Sequence, residues 1–388
     1  MTTSTPVGLT AEQETFRREL RDFLAGADVR REVAEIAAYP PRHEASHLAV
    51  YRRLGERGWL APSWPERFGG LGLGAVEAAL VTEELTLAGI PDDVHVLSID
   101  IVGMFLLRAG TEAQQQRHLP HLARGERIAT VLFTEPGCGS DLSALSTAAR
   151  RDGDGWRLRG GKIYNQKSQF GDVALCAART TAGPVALHGI TLFLVPLRSP
   201  AVHIEPVPSM GNDRFNLVVL DDLRVGPEDV VGQVDDGWRL LNDLLQLERT
   251  GIDFHGKGRR LLDAAIGRAT ATGRIDDPSW AGDLAELDAA QHAAHALAWE
   301  QVHALADGRP DPVRSAMSKW FASERISPVL AAGADLDGLA TALSAWDGGA
   351  PDDGLWEAAT RTGPAHRLAS GTSEVMLYLV AGNGLGLL

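Results

Sequence analysis

The sequence predicts an α+β chain in three parts, helical, then β, then helical, and three regions of different periodicity carry that expectation. Apolar residues recur at helical spacing from Thr10 to about Arg127, at a period of two from Ile128 to about Val234, and at helical spacing again from Asp236 onward. The parts are therefore expected over residues 1–127, 128–235 and 236–388. A length of 388 residues leaves room for two or three domains with substantial cores.

In the first part, Thr10 and Gln13 have the spacing of a capping box. Phe16, Leu20, Phe23 and Leu24 follow at i, i+4, i+7 and i+8. A Gly/Pro-rich loop, Ala61–Gly74 (APSWPERFGGLGLG), interrupts the pattern, and helices resume over Ala75–Ala88 and Asp100–Arg108. The middle part has β-branched and aromatic runs at Ala129–Phe133, Trp156–Arg159, Val173–Ala178, Ile190–Val195, Val202–Val207 and Phe215–Leu220. Asp152-Gly153-Asp154-Gly155 reads as a hairpin-type turn. So many short strands suggest a small sandwich or barrel. The last part is rich in Ala and Leu. Breaks at Gly273–Pro278, Asp307–Pro312 and Asp347–Gly354 divide it into about four helices of a bundle.

Composition removes several function classes. Lys and Arg total 37 against 51 Asp and Glu, and a formal charge of −14 repels nucleic acid and anionic lipid. The longest apolar stretches, such as Ile190–Leu197, are strand-sized, so no membrane span is expected. The opening MTTSTPVGLTAEQETF lacks a basic region followed by an apolar core and does not read as a secretory signal. Cys138 and Cys176 are far apart with no CxxC, which leaves neither a disulfide framework nor a zinc site. The expected compartment is the reducing cytoplasm.

The strongest local signal is Phe133-Thr134-Glu135-Pro136-Gly137-Cys138-Gly139-Ser140-Asp141-Leu142, a strand running into a turn with two glycines. Glycines admit a ligand close to the backbone, and the exposed N–H groups of such a turn suit an anion. Thr134 and Ser140 add side-chain donors. On the turn alone, a ligand cradle and an ordinary strand-to-loop turn are evenly matched.

FTEPGCGSDL resembles the flavin-binding signature of the acyl-CoA dehydrogenases. The resemblance extends to Gly58-Trp59 with WPERFGGLG, to Gly161-Lys162-Ile163-Tyr164, and to FNLVVLDDLRVGPEDVVG. It continues through GWRLLNDLLQLER and Ser370-Gly371-Thr372-Ser373-Glu374, covering almost the whole chain in order. It implies a helical N-terminal domain, a central small β-barrel and a C-terminal four-helix bundle. It also implies FAD, a thioester substrate carried by CoA or an acyl-carrier protein, an electron-transfer acceptor, and a homo- or hetero-oligomer. Carried over residue by residue, Phe133 and Thr134 lie against the flavin ring, and Gly139 and Ser140 lie along its pyrophosphate. Tyr164 stands where the family usually has tryptophan, and Gln166 where it usually has a hydroxyl residue. Thr372 and Glu374 fall at C-terminal flavin-contacting positions. Ser140 and Arg249 are carried over as substrate contacts.

Dehydrogenating a thioester needs a base at the α-carbon and a hydride acceptor at the β-carbon. Many members of the family place a glutamate immediately before Gly-Thr-Ser, but here that residue is Ser370. Another branch uses a glutamate in a Leu-Glu-Arg context, matched by Leu247-Glu248-Arg249. On a continuous helical wheel, Leu240, Leu241, Leu244, Leu245, Leu247 and Ile252 form one apolar sector with Glu248 near its middle. Arg239, Asn242, Asp243, Gln246, Arg249, Thr250 and Asp253 share the other face. Burial there would raise a carboxyl toward the range useful for a base. A structural glutamate with a buried partner is the competing reading.

Other residues are expected to be structural. His118 with His121, and His292 with His295, have i, i+3 spacing. No nearby carboxylate completes a metal set, so surface histidines and no metal site are expected. On the continuous wheel His255 shares the face of Glu248 and either tunes it or lines the core. Cys138 is read as packing, and Arg214 as a weak pointer to the acyl or CoA portion.

The resulting expectation is FAD-dependent α,β-dehydrogenation of an acyl thioester, with Glu248 as base. The acyl group is bulky or branched, as in branched-acyl and bacterial steroid-side-chain members. Two rivals are a flavin monooxygenase on the same fold and a partner subunit of a hetero-oligomer. The family also completes FAD from a neighbouring chain, through an Arg before Phe-Gly and a Gln-x-x-Gly-Gly stretch. Here Arg274 leads into Ile275-Asp276-Asp277-Pro278, and the late stretch reads Ala345-Trp346-Asp347-Gly348-Gly349-Ala350-Pro351-Asp352-Asp353. Such acids suit a pyrophosphate poorly, so this chain is expected to donate little to a neighbour's flavin.

Overall fold

Helix α1 (Ala11–Leu24) begins where its capping box requires. The Thr10 hydroxyl accepts the Gln13 amide N–H at 3.3 Å, and Gln13 Oε1 accepts the Thr10 N–H at 3.0 Å. Its apolar stripe, Phe16, Leu20 and Leu24, is buried against α4 (Ala75–Leu87). Burying a side chain the size of Leu20 stabilises by roughly 1.5–3 kcal/mol. In this computed structural model, residues 8–37, 47–182, 187–211, 214–248 and 250–387 are described, with the backbone alone for 36–37, 47–48 and 244–248.

Between α1 and α4 lie α2 (Ala27–Ala37) and α3 (His47–Gly55). After α4, a short α5 (Asp93–His95) widens into a π-helix over Val96–Gly103 before α6 (Met104–Ala109) and α7 (Glu112–Ala123). The expected helix over Asp100–Arg108 is therefore half π-helix, with a crowded apolar interior around Ile99, Ile101 and Val102.

The middle part forms one sheet. Its strands are β1 (Ala129–Leu132), β2 (Ala148–Asp152), β3 (Gly155–Gln166), β4 (Val173–Arg179), β5 (Ile190–Pro196), β6 (Val202–Val207), β7 (Phe215–Val225) and β8 (Val230–Val231). The order is β6-β7-β3-β2-β4-β5-β8, and β1 pairs with β4 in parallel. The Asp152–Gly155 turn joins β2 to β3, with Asp152 opposite Gly155. Sequence alternation missed β2, because AARRD carries only Ala149 inward. Strand β4 is buried on both faces: Leu175 and Ala177 meet the helices, while Ala174, Cys176 and Ala178 face the sheet's own interior. There they meet Leu158, Phe193, Val195, Val218 and Leu220 from three further strands, so the sheet curls into a barrel-like core.

The C-terminal part has more helices than expected. They are α8 (Gly237–Glu248), α9 (Ile252–Ala271), α10 (Pro278–Ala306), α11 (Pro312–Glu324), α12 (Ile326–Asp337), α13 (Leu355–Leu368) and α14 (Ser373–Leu379). Helices α9 to α12 pack on one another as the bundle expected, and the other three are laid around them. The break between α8 and α9 corrects the continuous wheel. Gly251 adopts φ 80°, a left-handed conformation that ends one helix and starts another. A Cβ at Gly251 would also come within 2.8 Å of Ser318 Oγ. Ile252 and His255 therefore belong to a different helix from Glu248, and the shared face drawn for them does not exist. Within α8 the amphipathicity holds, with Leu240 and Leu241 buried and Arg239, Asn242 and Asp243 outward. Among the described residues, no helix is long and apolar enough to cross a membrane.

Candidate active site

Strand β1 ends at the glycine-rich turn, and a buried ion pair fixes that turn to β3. Lys162, fully buried in β3, donates to Glu135 Oε1 at 2.8 Å and to the Phe133 carbonyl at 3.1 Å. Glu135 also accepts from the Ser146 N–H and hydroxyl, both at 2.7 Å, and from the Thr147 N–H at 2.8 Å. Burial alone would raise the Glu135 carboxyl, but Lys162 and these donors outweigh it and hold it at about 2. The sequence argument quoted both residues within its motifs but did not pair them. The available signal was a lysine at a β position that faces the core.

A pH dependence follows. A carboxyl depressed from 4.5 to about 2 contributes stability that is complete above about 4.5 and is lost as pH falls through about 2. Acid unfolding followed by circular dichroism should steepen over that window in the wild type and flatten in Glu135→Gln. Equal slopes would remove Glu135 from the acid-labile set.

The turn held this way presents an open face. Glu135 and Cys138 exchange backbone hydrogen bonds at 2.9 and 3.1 Å, closing it. A Cβ built on Gly137 or Gly139 meets nothing within 4 Å, so the backbone there is clear for a ligand. Ser140 and Gly139 are exposed, and Phe133 is buried at the edge. Cys138 is buried and burial pushes its thiol up, in keeping with a packing role.

Across from the turn, the Thr134 carbonyl accepts the Ile163 N–H at 3.0 Å, which sets Tyr164 beside it. Tyr164 is 60% exposed and held at φ 60°, in a bulge between Lys162 and Asn165, with its ring edge-on to Phe215. Bulky residues avoid that conformation, and strain of this kind collects at ligand sites. Gln166 closes the strand opposite Phe215, and its carbonyl accepts from Thr130 Oγ1 at 2.8 Å.

The C-terminal flavin-contact candidates lie on the turn into α14. Thr372 caps that helix by accepting the Val375 N–H at 3.2 Å, and Glu374 is exposed. Its own backbone amide and the Thr372 hydroxyl hold the Glu374 carboxyl below its ordinary value. The turn before it is strained, with Ser370 at φ 54° and Gly371 at φ 93°. Lys319, fully buried in α11, donates to the Gly371 carbonyl at 2.8 Å.

The neighbouring residue ties in the candidate base segment. Ser318 Oγ donates to the Thr250 carbonyl at 2.7 Å, at the α8–α9 junction. Ser318 and Lys319 thus bring the end of α8, where Glu248 is the last helical residue, to the turn that carries Ser370. Thr250 and Gly371 are thus held by adjacent residues of α11. The side chain of Glu248 and all of Arg249 lie outside the described residues. Strand β3 is linked in as well: Lys167, next to Gln166, pairs with Asp93 at 2.8 Å, while adjacent Asp92 pairs with Lys257 of α9 at 2.8 Å. Arg214 is exposed in a loop beside β7 and is not brought to these groups by any described contact.

Two histidine expectations need correction. His118 is buried in α7, and burial pushes it down to about 4. His295 is buried in α10, where Glu83 of α4 lies 3.2 Å away. The carboxylate absent from the neighbouring sequence is supplied by the fold. His121 and His292 pair instead with Glu126 and Asp288 at the surface.

Comparison with known proteins agrees with the helical, β, helical architecture. Residues 10–126, 130–223 and 235–385 match the models for the N-terminal, middle and C-terminal domains of acyl-CoA dehydrogenases. The acyl-CoA dehydrogenase FadE29 of Mycobacterium tuberculosis is 30% identical over 82% of this chain and 83% of its own. A structure described as the Tcur3481–Tcur3483 steroid ACAD superposes with a TM-score of 0.89 at 28% identity, covering 98% of this chain and 99% of that one. The ChsE4–ChsE5 complex of Mycobacterium tuberculosis gives a TM-score of 0.85 at 26% identity over 99% of this chain and 100% of the other.

Proposed function

The chain belongs to the acyl-CoA dehydrogenase family, FAD flavoproteins that oxidise CH–CH groups, and on that premise we propose that it converts an acyl thioester to its α,β-unsaturated form with Glu248 as the α-proton base. The observation that carries this reading is Tyr164. A strained, outward aromatic beside a turn with clear glycine backbone is a surface made to receive a planar, phosphate-bearing cofactor. Phe133, Thr134 and Tyr164 would face its ring, with Gln166 at the ring's edge. Gly139 and Ser140 would follow its pyrophosphate, and Thr372 and Glu374 would close on it from α14. When bound, FAD supplies the acceptor for the β-hydride.

The remaining work belongs to this chain. Glu248 takes the α-proton, Arg249 and Ser140 hold the thioester, and Lys319 and Ser318 keep the two turns in register. Ser370 has no proton to move. Likeness to the steroid ACAD supports a bulky or branched acyl group. A flavin monooxygenase needs no base, so a glutamate at this locale counts against it. An acyl-CoA or acyl-carrier-protein thioester and an electron-transfer acceptor complete the proposal. The chain is divided at residues 127 and 235, and a cytoplasmic setting fits its charge and cysteine usage.

Anaerobic addition of an acyl-CoA panel to the purified protein tests this. Bleaching of the flavin by branched or steroid-side-chain thioesters is expected, and a yellow protein bleached by none of them would overturn it. Ser370→Ala should bleach within about threefold of wild type, because the proton transfer removed elsewhere is worth 10² or more.

A partner-subunit reading has its own support. Arg274 stacks on Trp280 of the same chain at 5.2 Å, and Asp352 accepts from the Trp356 indole at 2.7 Å. Both are engaged at home, which suits a chain that gives little to a neighbour's cofactor, and one similar structure is a complex of two different chains. Expressed alone, the protein should hold less than one FAD per chain, or hold it from one chain in a rearranged homodimer. A homotetramer with one tight FAD per chain, touched by the neighbour's Arg274 and Asp352 loop, would contradict it. Flavin absorbance per chain with solution mass, and a crystal structure of any tetramer, decide.

A further inference from the structure

A second polar cluster lies in the seam between the N-terminal helices and the bundle. Glu83 of α4, His255 of α9 and His295 of α10 are each more than nine-tenths buried. His295 Nε2 lies 3.2 Å and His255 Nε2 3.8 Å from Glu83 Oε1, and one ligand atom from each residue falls within 4.8 Å of the others. We propose that Glu83, His255 and His295 form a binding site for a divalent transition metal of the zinc class, joining the N-terminal helices to the bundle.

The donor set fits. Two imidazoles and one carboxylate are the protein ligands of many open zinc sites, and donors bound at roughly 2.0–2.2 Å around a tetrahedral ion stand about 3.3–3.6 Å apart. The two separations from Glu83 already bracket that spacing. The surroundings hold the carboxylate as a ligand should be held. Arg17 donates to Oε2 at 3.3 Å and the Trp299 indole donates to Oε1 at 3.1 Å, while His295 Nε2 faces the other side of Oε1 at 3.2 Å, where an ion would come between them. The Arg17 charge is answered by Glu84 at 2.7 Å, so it does not have to be answered by Glu83.

Unspent polar capacity is the independent sign. His255 Nδ1 and both amide atoms of Gln291 are buried without a hydrogen-bond partner. Gln291 sits one turn before His295 on the same helix, and its amide packs over Gly258, where a Cβ would come within 2.6 Å of its nitrogen. Buried polar atoms are seldom left this way in a finished ion network. At a metal site they serve as the outer partners of a ligand imidazole and of a bound water.

The test uses FAD-loaded wild type, stripped with a chelator and titrated with Co²⁺, whose visible bands report a low-coordinate nitrogen–oxygen site. About one Co²⁺ per chain is expected, displaced by Zn²⁺. His255→Gln and His295→Gln should each weaken Co²⁺ uptake at least tenfold with flavin content and circular dichroism unchanged. The surface pair His121→Gln/His292→Gln should bind as wild type does, which keeps the test decisive if the buried variants fail to fold. Uptake of less than about a tenth of an ion per wild-type chain, or loss of uptake in the surface pair, would overturn the site.

Discussion

Glu248→Gln should leave a folded, yellow protein whose turnover falls at least about 10²-fold, the usual worth of a positioned general base. The change is nearly isosteric and removes basicity alone. It should lower kcat and kcat/KM together, since the proton transfer is made only in the transition state. Flavin content and melting temperature act as controls. Turnover within about threefold of wild type would remove Glu248 from the chemistry. A dead Ser370→Ala beside an active Glu248→Gln would move the base to the other turn that α11 holds.

The second large effect is on stability and cofactor retention. Lys162→Met should cost about 3–5 kcal/mol, because it leaves the Glu135 carboxylate buried without its cation. The Phe133 carbonyl loses its donor at the same time, so the glycine-rich turn loosens. A lower melting temperature and release of flavin on gel filtration are the expected readouts. The double variant Lys162→Met/Glu135→Leu should recover part of the loss, since it removes the stranded charge as well. A Lys162→Met protein with wild-type melting and flavin content would show that the pair contributes nothing.

What the sequence disclosed was local. Thr10 with Gln13 states a helix start within four residues, and Phe133–Leu142 carries strand, turn and donors in one run. The same holds for the Asp152–Gly155 hairpin and for the breaks at Gly273 and Asp307. What it hid depended on distant partners. A left-handed Gly251 looks like any helix glycine until Ser318 of α11 is seen against it, and the wheel drawn through it misplaced His255. His295 was read as a surface residue because its carboxylate, Glu83, comes from a helix in the N-terminal part. The pairing of Lys162 with Glu135 went unnoticed because burial of a charge becomes visible only with its counter-ion. Strand β2 was missed because a strand with one inward apolar residue takes its place from its neighbours.

The base assignment can be separated from hydride transfer by α-hydrogen exchange in D₂O with 3,3-dimethylbutanoyl-CoA. That thioester has α-hydrogens but none at the β-carbon, so it can lose a proton but cannot be oxidised. Wild type and Ser370→Ala should wash deuterium into the α-position at similar rates, and Glu248→Gln should be slower by 10²-fold or more. Exchange at the wild-type rate in Glu248→Gln would contradict the account.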